Sequence, residues 1–92
     1  MRTIGIKAFS GCTTLSKISI PEGVETIDSY SFSYCTGLKH VSLPGTLTSI
    51  GVFAFNGCTK LKTVDNGSIL ILKPGSEDHG EVARYAVKVV DL

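Results

Sequence analysis

Tryptophan is absent from this 92-residue chain, and methionine occurs once. Charged residues make up only 18% of it, and the formal net charge is +1, so neither sign dominates. There is no run of lysine and arginine. The nearest approaches, Lys39–His40 and Lys60–Leu61–Lys62, are too sparse for the basic face that a nucleic-acid partner requires. No apolar stretch is long enough to cross a bilayer as a helix. Low-complexity tracts are missing too, and an apolar content of 42% is ordinary for a folded protein, which argues against disorder. The opening residues, "MRTIGIKAFSGC", lack an apolar h-region, so no signal peptide is visible. That leaves two expectations, an intracellular protein or a piece of a longer one. The length allows one domain, and a compact globule of this size would bury only about 60–65% of its unfolded surface.

What is present is a repeat. Cys12, Cys35 and Cys58 stand 23 residues apart. Phe9, Phe32 and Phe55 keep the same interval, as do Leu15, Leu38 and Leu61. Ile18, Val41 and Val64 follow, and Ile4, Ile27 and Ile50 complete the set. No insertion disturbs the phase. A fixed period of this length predicts a solenoid, in which each unit makes one coil around a shared apolar axis. A single coil cannot bury its apolar face, but stacked neighbours can.

Local chemistry divides the coil. "SKISI", "KHVSL" and "TVD" alternate as strands do, with Ile18 and Ile20, then Val41 and Leu43, on one side. Pro21 and Pro44 end these strands, because proline cannot donate to a ladder. "PEGVE" and "PGTLT" read as turns. In "KAFSGCTTL" the spacing of Ala8, Phe9 and Cys12 suits a short helical or 3₁₀ turn on the opposite wall. One strand per coil predicts a short parallel sheet on one face.

These residues resemble the BspA-type leucine-rich repeat, also called the Treponema-type repeat. The pattern Leu-x-x-Ile-x-Ile-Pro, then Val, Ile, Phe and Cys-x-x-Leu is carried by Leu15, Ile18, Ile20, Pro21, Val24, Ile27, Phe32, Cys35 and Leu38. It returns from Leu38 to Leu61, and the resemblance covers roughly residues 3–66. Two departures stand out: Asp28 and Ser29 replace an expected Ile-Gly, and the third unit ends "VDNGSI" without its proline. The resemblance implies a cell-surface or secreted bacterial protein, an adhesin-like module that binds host matrix or plasma proteins such as fibronectin and fibrinogen. It implies no catalytic motif and no cofactor.

The expected architecture is therefore a leucine-rich-repeat solenoid of about three coils over residues 1–66, with a capping segment over 67–92. Beyond Asp65 the period stops. "ILIL" is a short apolar run, "KPGSEDHGE" a polar loop, and "VARYAVKVVDL" reads as strand or helix. As a strand it groups Ala83, Tyr85, Val87 and Val89. As a helix it groups Val82, Tyr85, Ala86, Val89 and Val90, with Asp78 and Glu81 as a capping box. Valine density favours strand. A hairpin of residues 68–73 with 82–90 would then cover the open end. The N-terminal unit begins with its apolar columns in place, which predicts an uncapped, self-associating end and a fragment of a longer chain.

Candidate chemistry is sparse. The cysteines share one inward column and read as buried free thiols. Adjacent coils bring their Cα atoms to about 5 Å, within disulfide range, but with parallel side chains. No Cys-x-x-Cys or histidine pair supports zinc. His79 lies among Glu77, Asp78 and Glu81, which reads as a solvated loop or, alternatively, as a metal or acid–base cluster. His40 is near Cys35 in sequence, but Cys35 points inward. Asn66–Gly67–Ser68 is a glycosylation sequon or simply a turn. On the concave sheet, Lys17, His40 and Thr63 form one outward column beside Ser19, Ser42 and Asp65. That rigid polar ladder is the expected binding face, with Tyr30 and Tyr34 on the convex side as rival anchors.

Overall fold

The computed structural model describes residues 2–76 and 78–91. Among the described residues there are seven short strands: β1 (Arg2–Ile4), β2 (Lys17–Ser19), β3 (Val24–Ile27), β4 (His40–Leu43), β5 (Ser49–Ile50), β6 (Thr63–Asn66) and β7 (Lys88–Asp91). All pairings are parallel. The strands build a long sheet, β2-β4-β6-β7, and a short one, β1-β3-β5. The molecule is the expected parallel solenoid, and the register follows the 23-residue period: Lys17 is level with His40, and His40 with Thr63.

The short sheet departs from the expectation of one strand per coil. Val24–Ile27 is a strand, not the tail of a turn. Gly23 takes a left-handed φ of 99° and completes the corner within two residues of Pro21. β-branched Val24, Thr26 and Ile27 then extend, with Val24 and Ile27 buried.

The third wall is built of turns, not of a continuous helix. Its N–H groups alternate between two partners. Ala8, Ser10 and Cys12 donate back to the carbonyls of Gly5, Lys7 and Phe9 in the same coil. Lys7, Phe9 and Gly11 donate to Ser29, Ser31 and Ser33 of the next coil. Left-handed residues at Lys7 (φ 59°) and Gly11 (φ 76°) redirect alternate N–H groups along the solenoid axis. The wall is thereby satisfied within and between coils.

The repeat columns form the core. Phe32, Phe55, Ile27, Leu38, Leu61, Val41, Val64 and Cys35 are each less than 2% exposed. The phenylalanine rings stack 5.1 Å apart along the axis, close to the strand spacing of about 4.8 Å. At the N-terminal end Ile4, Cys12, Leu15 and Ile18 are only partly buried.

Residues after Asn66 close the other end as a fourth coil rather than as a hairpin. Residues 68–73 form no strand, and 82–90 form no helix. Instead β7 pairs parallel with β6, placing Val89 level with Val64. Phe55 N–H donates to Gly80 C=O at 2.8 Å, as Phe9 and Phe32 donate to Ser31 and Ala54 at 2.7 Å. A 3₁₀ turn, His79–Glu81, starts this last wall, and Asp78 caps it with no side-chain bond. Val82, Ala83 and Ala86 are buried against the coil before them. A hairpin standing across the end would have left the hydrogen-bonding edge of β6 unpaired; the parallel strand satisfies it.

Candidate functional site

Strand alternation puts the six ladder residues on the outer face of the long sheet, as the sequence predicts. In β4 and β6, Val41, Leu43 and Val64 are buried while His40, Ser42, Thr63 and Asp65 are half-exposed. In β2, Lys17 and Ser19 are exposed. Stacking aligns them across coils: Lys17, His40, Thr63 and Lys88 in one row, Ser19, Ser42, Asp65 and Val90 in the next. The fourth members, Lys88 and Val90, were not anticipated, because the last spacing is longer than the rest.

The centre of this face is a polar cluster. His40 Nε2 lies 3.0 Å from Asp65 Oδ2. Ser42 Oγ is 3.5 Å from both His40 Nε2 and Asp65 Oδ2. Serine, histidine and aspartate thus converge, but on one ring nitrogen. A hydrolytic triad needs the carboxylate on one imidazole nitrogen and the hydroxyl on the other. Here the arrangement ties β4 to β6 and fixes three side chains. A depression of about 460 Å³ flanks it, lined by Lys17, Ile18, Ser19 and His40. Together they make a rigid, mixed-charge surface whose side chains need little further ordering on contact with a partner.

The other candidates resolve as follows. Cys12, Cys35 and Cys58 are free thiols. Cys35 Sγ donates to Phe9 C=O and Cys58 Sγ to Phe32 C=O, both at 3.1 Å, so each buried thiol bonds the coil before it. Burial raises the Cys35 thiol above its ordinary range and pushes Cys58 up to about 12. Both are poor nucleophiles at neutral pH.

The acidic loop around His79 is not wholly solvated. Glu81 is buried and held by Arg84 Nη1 at 2.9 Å. It occupies the position after Gly80 that phenylalanine holds in the earlier coils, which no sequence period revealed. Glu77 lies outside the described residues. Among the described residues no group of three or more His, Cys, Asp or Glu side chains is placed to hold a metal ion.

Asn66 is also buried. Its Nδ2 donates to Leu70 C=O at 2.7 Å and to Asp91 Oδ1 at 3.2 Å. Ser68 N–H closes a turn onto Asn66 Oδ1 at 3.1 Å, so the sequon is a structural turn whose amide nitrogen is engaged.

Parallel coils with this period, one hydrogen-bonded turn wall and an inward Leu–Cys–Phe column define a leucine-rich-repeat solenoid. The family model for the BspA type leucine-rich repeat region matches residues 1–71 in 6 copies, and the chain belongs to that family. A similar solved structure is the crystal structure of a leucine-rich repeat protein from Bacteroides ovatus ATCC 8483, with 44% identity and a TM-score of 0.62. The similarity covers 64% of this chain and 15% of that one, so this chain spans a small part of that protein's length. No curated protein matches the chain. The leucine-rich-repeat fold is generally a non-catalytic protein-interaction fold. BspA-type proteins are often surface or secreted proteins of bacteria. Among the described residues no helix is long and apolar enough to cross a membrane.

Proposed function

We propose that this chain is a non-catalytic protein-binding module of a bacterial cell-surface or secreted, adhesin-like protein. The long-sheet ladder of Lys17, Ser19, His40, Ser42, Thr63 and Asp65 is its binding face. The observation that carries this reading is the His40–Ser42–Asp65 cluster, which ties β4 to β6 and holds polar side chains in place on the outer face. A surface organised in advance loses less entropy on binding than a flexible one. Host extracellular-matrix or plasma proteins are the partners, in keeping with the family.

The test is a titration of fibronectin and fibrinogen over the immobilised chain, beside a Lys17→Glu, His40→Glu, Thr63→Glu variant. Saturable binding by the parent, lost in the variant, supports the reading. Equal binding by both moves the site off the sheet. No binding by the parent shifts the weight to a spacer that presents another domain, or to an intracellular scaffold.

A second copy of the chain is a further partner in this reading. The first coil leaves Phe9 38% exposed, and among the described residues no strand pairs with the outer edges of β1 and β2. Apolar surface and free strand edges together favour association.

A further inference from the structure

All four coils hold a residue in the left-handed region at the same point of the turn wall. They are Lys7 (φ 59°), Tyr30 (φ 60°), Phe53 (φ 56°) and His79 (φ 53°). Glycine would meet this requirement without a Cβ penalty. At its other left-handed column the chain uses glycine in two of three coils, Gly11 and Gly57, and Tyr34 (φ 57°) in the second. Bulky side chains at positive φ are outliers that call for a reason beyond the fold.

The aromatic side chains do not fill the core. Phe53 is 45% exposed, and Val52 beside it is 64% exposed. The Tyr30 and Phe53 rings touch, with centroids 5.6 Å apart and planes tilted by 40°. The result is an aromatic ridge along the outside of the turn wall. Past Phe53 a groove of about 360 Å³ runs to the fourth coil, between Ile50, Val52 and Phe53 on one side and Asp78 and His79 on the other. Its charge is acidic. Asp78 is exposed, and no cation among the described residues pairs with it. The Glu81 carboxylate is already matched by Arg84.

We infer that this groove is a second recognition site, and that it takes an arginine side chain of a protein partner, with the guanidinium over the Phe53 ring and facing Asp78. An aromatic face attracts a cation through its quadrupole, and a planar guanidinium also stacks on it. The acidic rim complements that charge, and apolar Ile50 and Val52 match the aliphatic stem. The left-handed backbone is what carries the ring outward. This site lies on the turn wall, stands apart from the long sheet, and does not depend on the adhesin reading.

The experiment is an NMR titration with N-acetyl-arginine amide, with the citrulline analogue as a neutral isostere. Saturable amide shifts at Val52, Phe53 and Gly80 are expected with arginine, and about tenfold weaker binding with citrulline. Phe53→Gly separates recognition from folding. Relief of the left-handed strain offsets the greater freedom of the unfolded chain, so the melting midpoint holds within a few degrees. Arginine binding by that variant falls about tenfold. Asp78→Asn weakens it by up to about fivefold. Equal shifts with both ligands, no saturation, or undiminished binding by Phe53→Gly overturns the inference. So does a collapse of the melting midpoint in Phe53→Gly, which would make the ring a structural prop.

Discussion

The rings of Phe9 and Phe32 stack 5.1 Å apart and 3° from parallel, yet Phe9 is 38% exposed and Phe32 wholly buried. The same residue type in the same column thus meets solvent in the first coil and none in the second. The difference is position along the stack, since Phe32 has a coil on both sides and Phe9 on one.

Energetic cost follows position. Phe32→Ala destabilises by about 3–5 kcal/mol, the range for a buried phenylalanine. Phe9→Ala costs about 1–2 kcal/mol, because its ring is only partly removed from water. Urea melts of the two variants check this. Equal costs would contradict an axial core that is open at the N-terminal end.

Gly5 and Gly51 hold equivalent places in coils one and three, and they should respond oppositely to a methyl group. A Cβ at Gly51 would lie 2.5 Å from Ser29 N and 2.8 Å from the Asp28 carbonyl carbon, both backbone atoms that cannot swing aside. Gly51→Ala is expected to cost about 1–3 kcal/mol through overpacking. At Gly5 nothing lies within 4 Å, and Gly5→Ala stays within about 0.5 kcal/mol of the parent. Denaturant midpoints decide between this and a loosely packed wall.

The thiols give a pH dependence. Burial raises Cys58 from 9.0 to about 12, so the folded chain keeps a proton that the unfolded chain releases. The stabilisation from this group is whole below pH 9.0 and is lost as pH rises through about 12. The stability gap between the parent and Cys58→Ala should therefore be constant below pH 9.0 and shrink above it. In the native protein, iodoacetamide should label Cys12 and spare Cys35 and Cys58. Labelling of all three at one rate would mean that the cysteine column is not buried.

The proposed association of two copies through the first coil has its own test. Phe9→Asp puts a charge on the exposed apolar face, and sedimentation velocity should then show a monomer at concentrations where the parent forms dimers or longer stacks. A monomeric parent at every concentration would contradict the self-association reading.

Much of this molecule can be read from residue spacing. The three full coils announce themselves because Phe, Cys, Leu and Ile or Val recur in phase, and strand alternation alone puts Lys17, His40 and Thr63 on the outer face. What the side chains there recognise is not written in the period. The short sheet escaped because its strands have two to four residues and follow a Pro–Gly corner that reads as turn chemistry. The fourth coil escaped for another reason. Its strand sits 25 residues on, from Val64 to Val89, and no phenylalanine or cysteine follows Cys58 to mark the coil in the sequence. Its valines reveal a strand but not its partner, since a parallel coil and an antiparallel hairpin share the same local pattern.

The most direct test of the sheet-face account is a hydrogen-exchange footprint of the chain with and without bound fibronectin. The account predicts slowed exchange at residues 17–19, 40–43 and 63–66, with the turn wall unchanged. Protection confined to residues 50–53 and 78–81, or to the first coil alone, would contradict it and move the binding surface elsewhere on the solenoid.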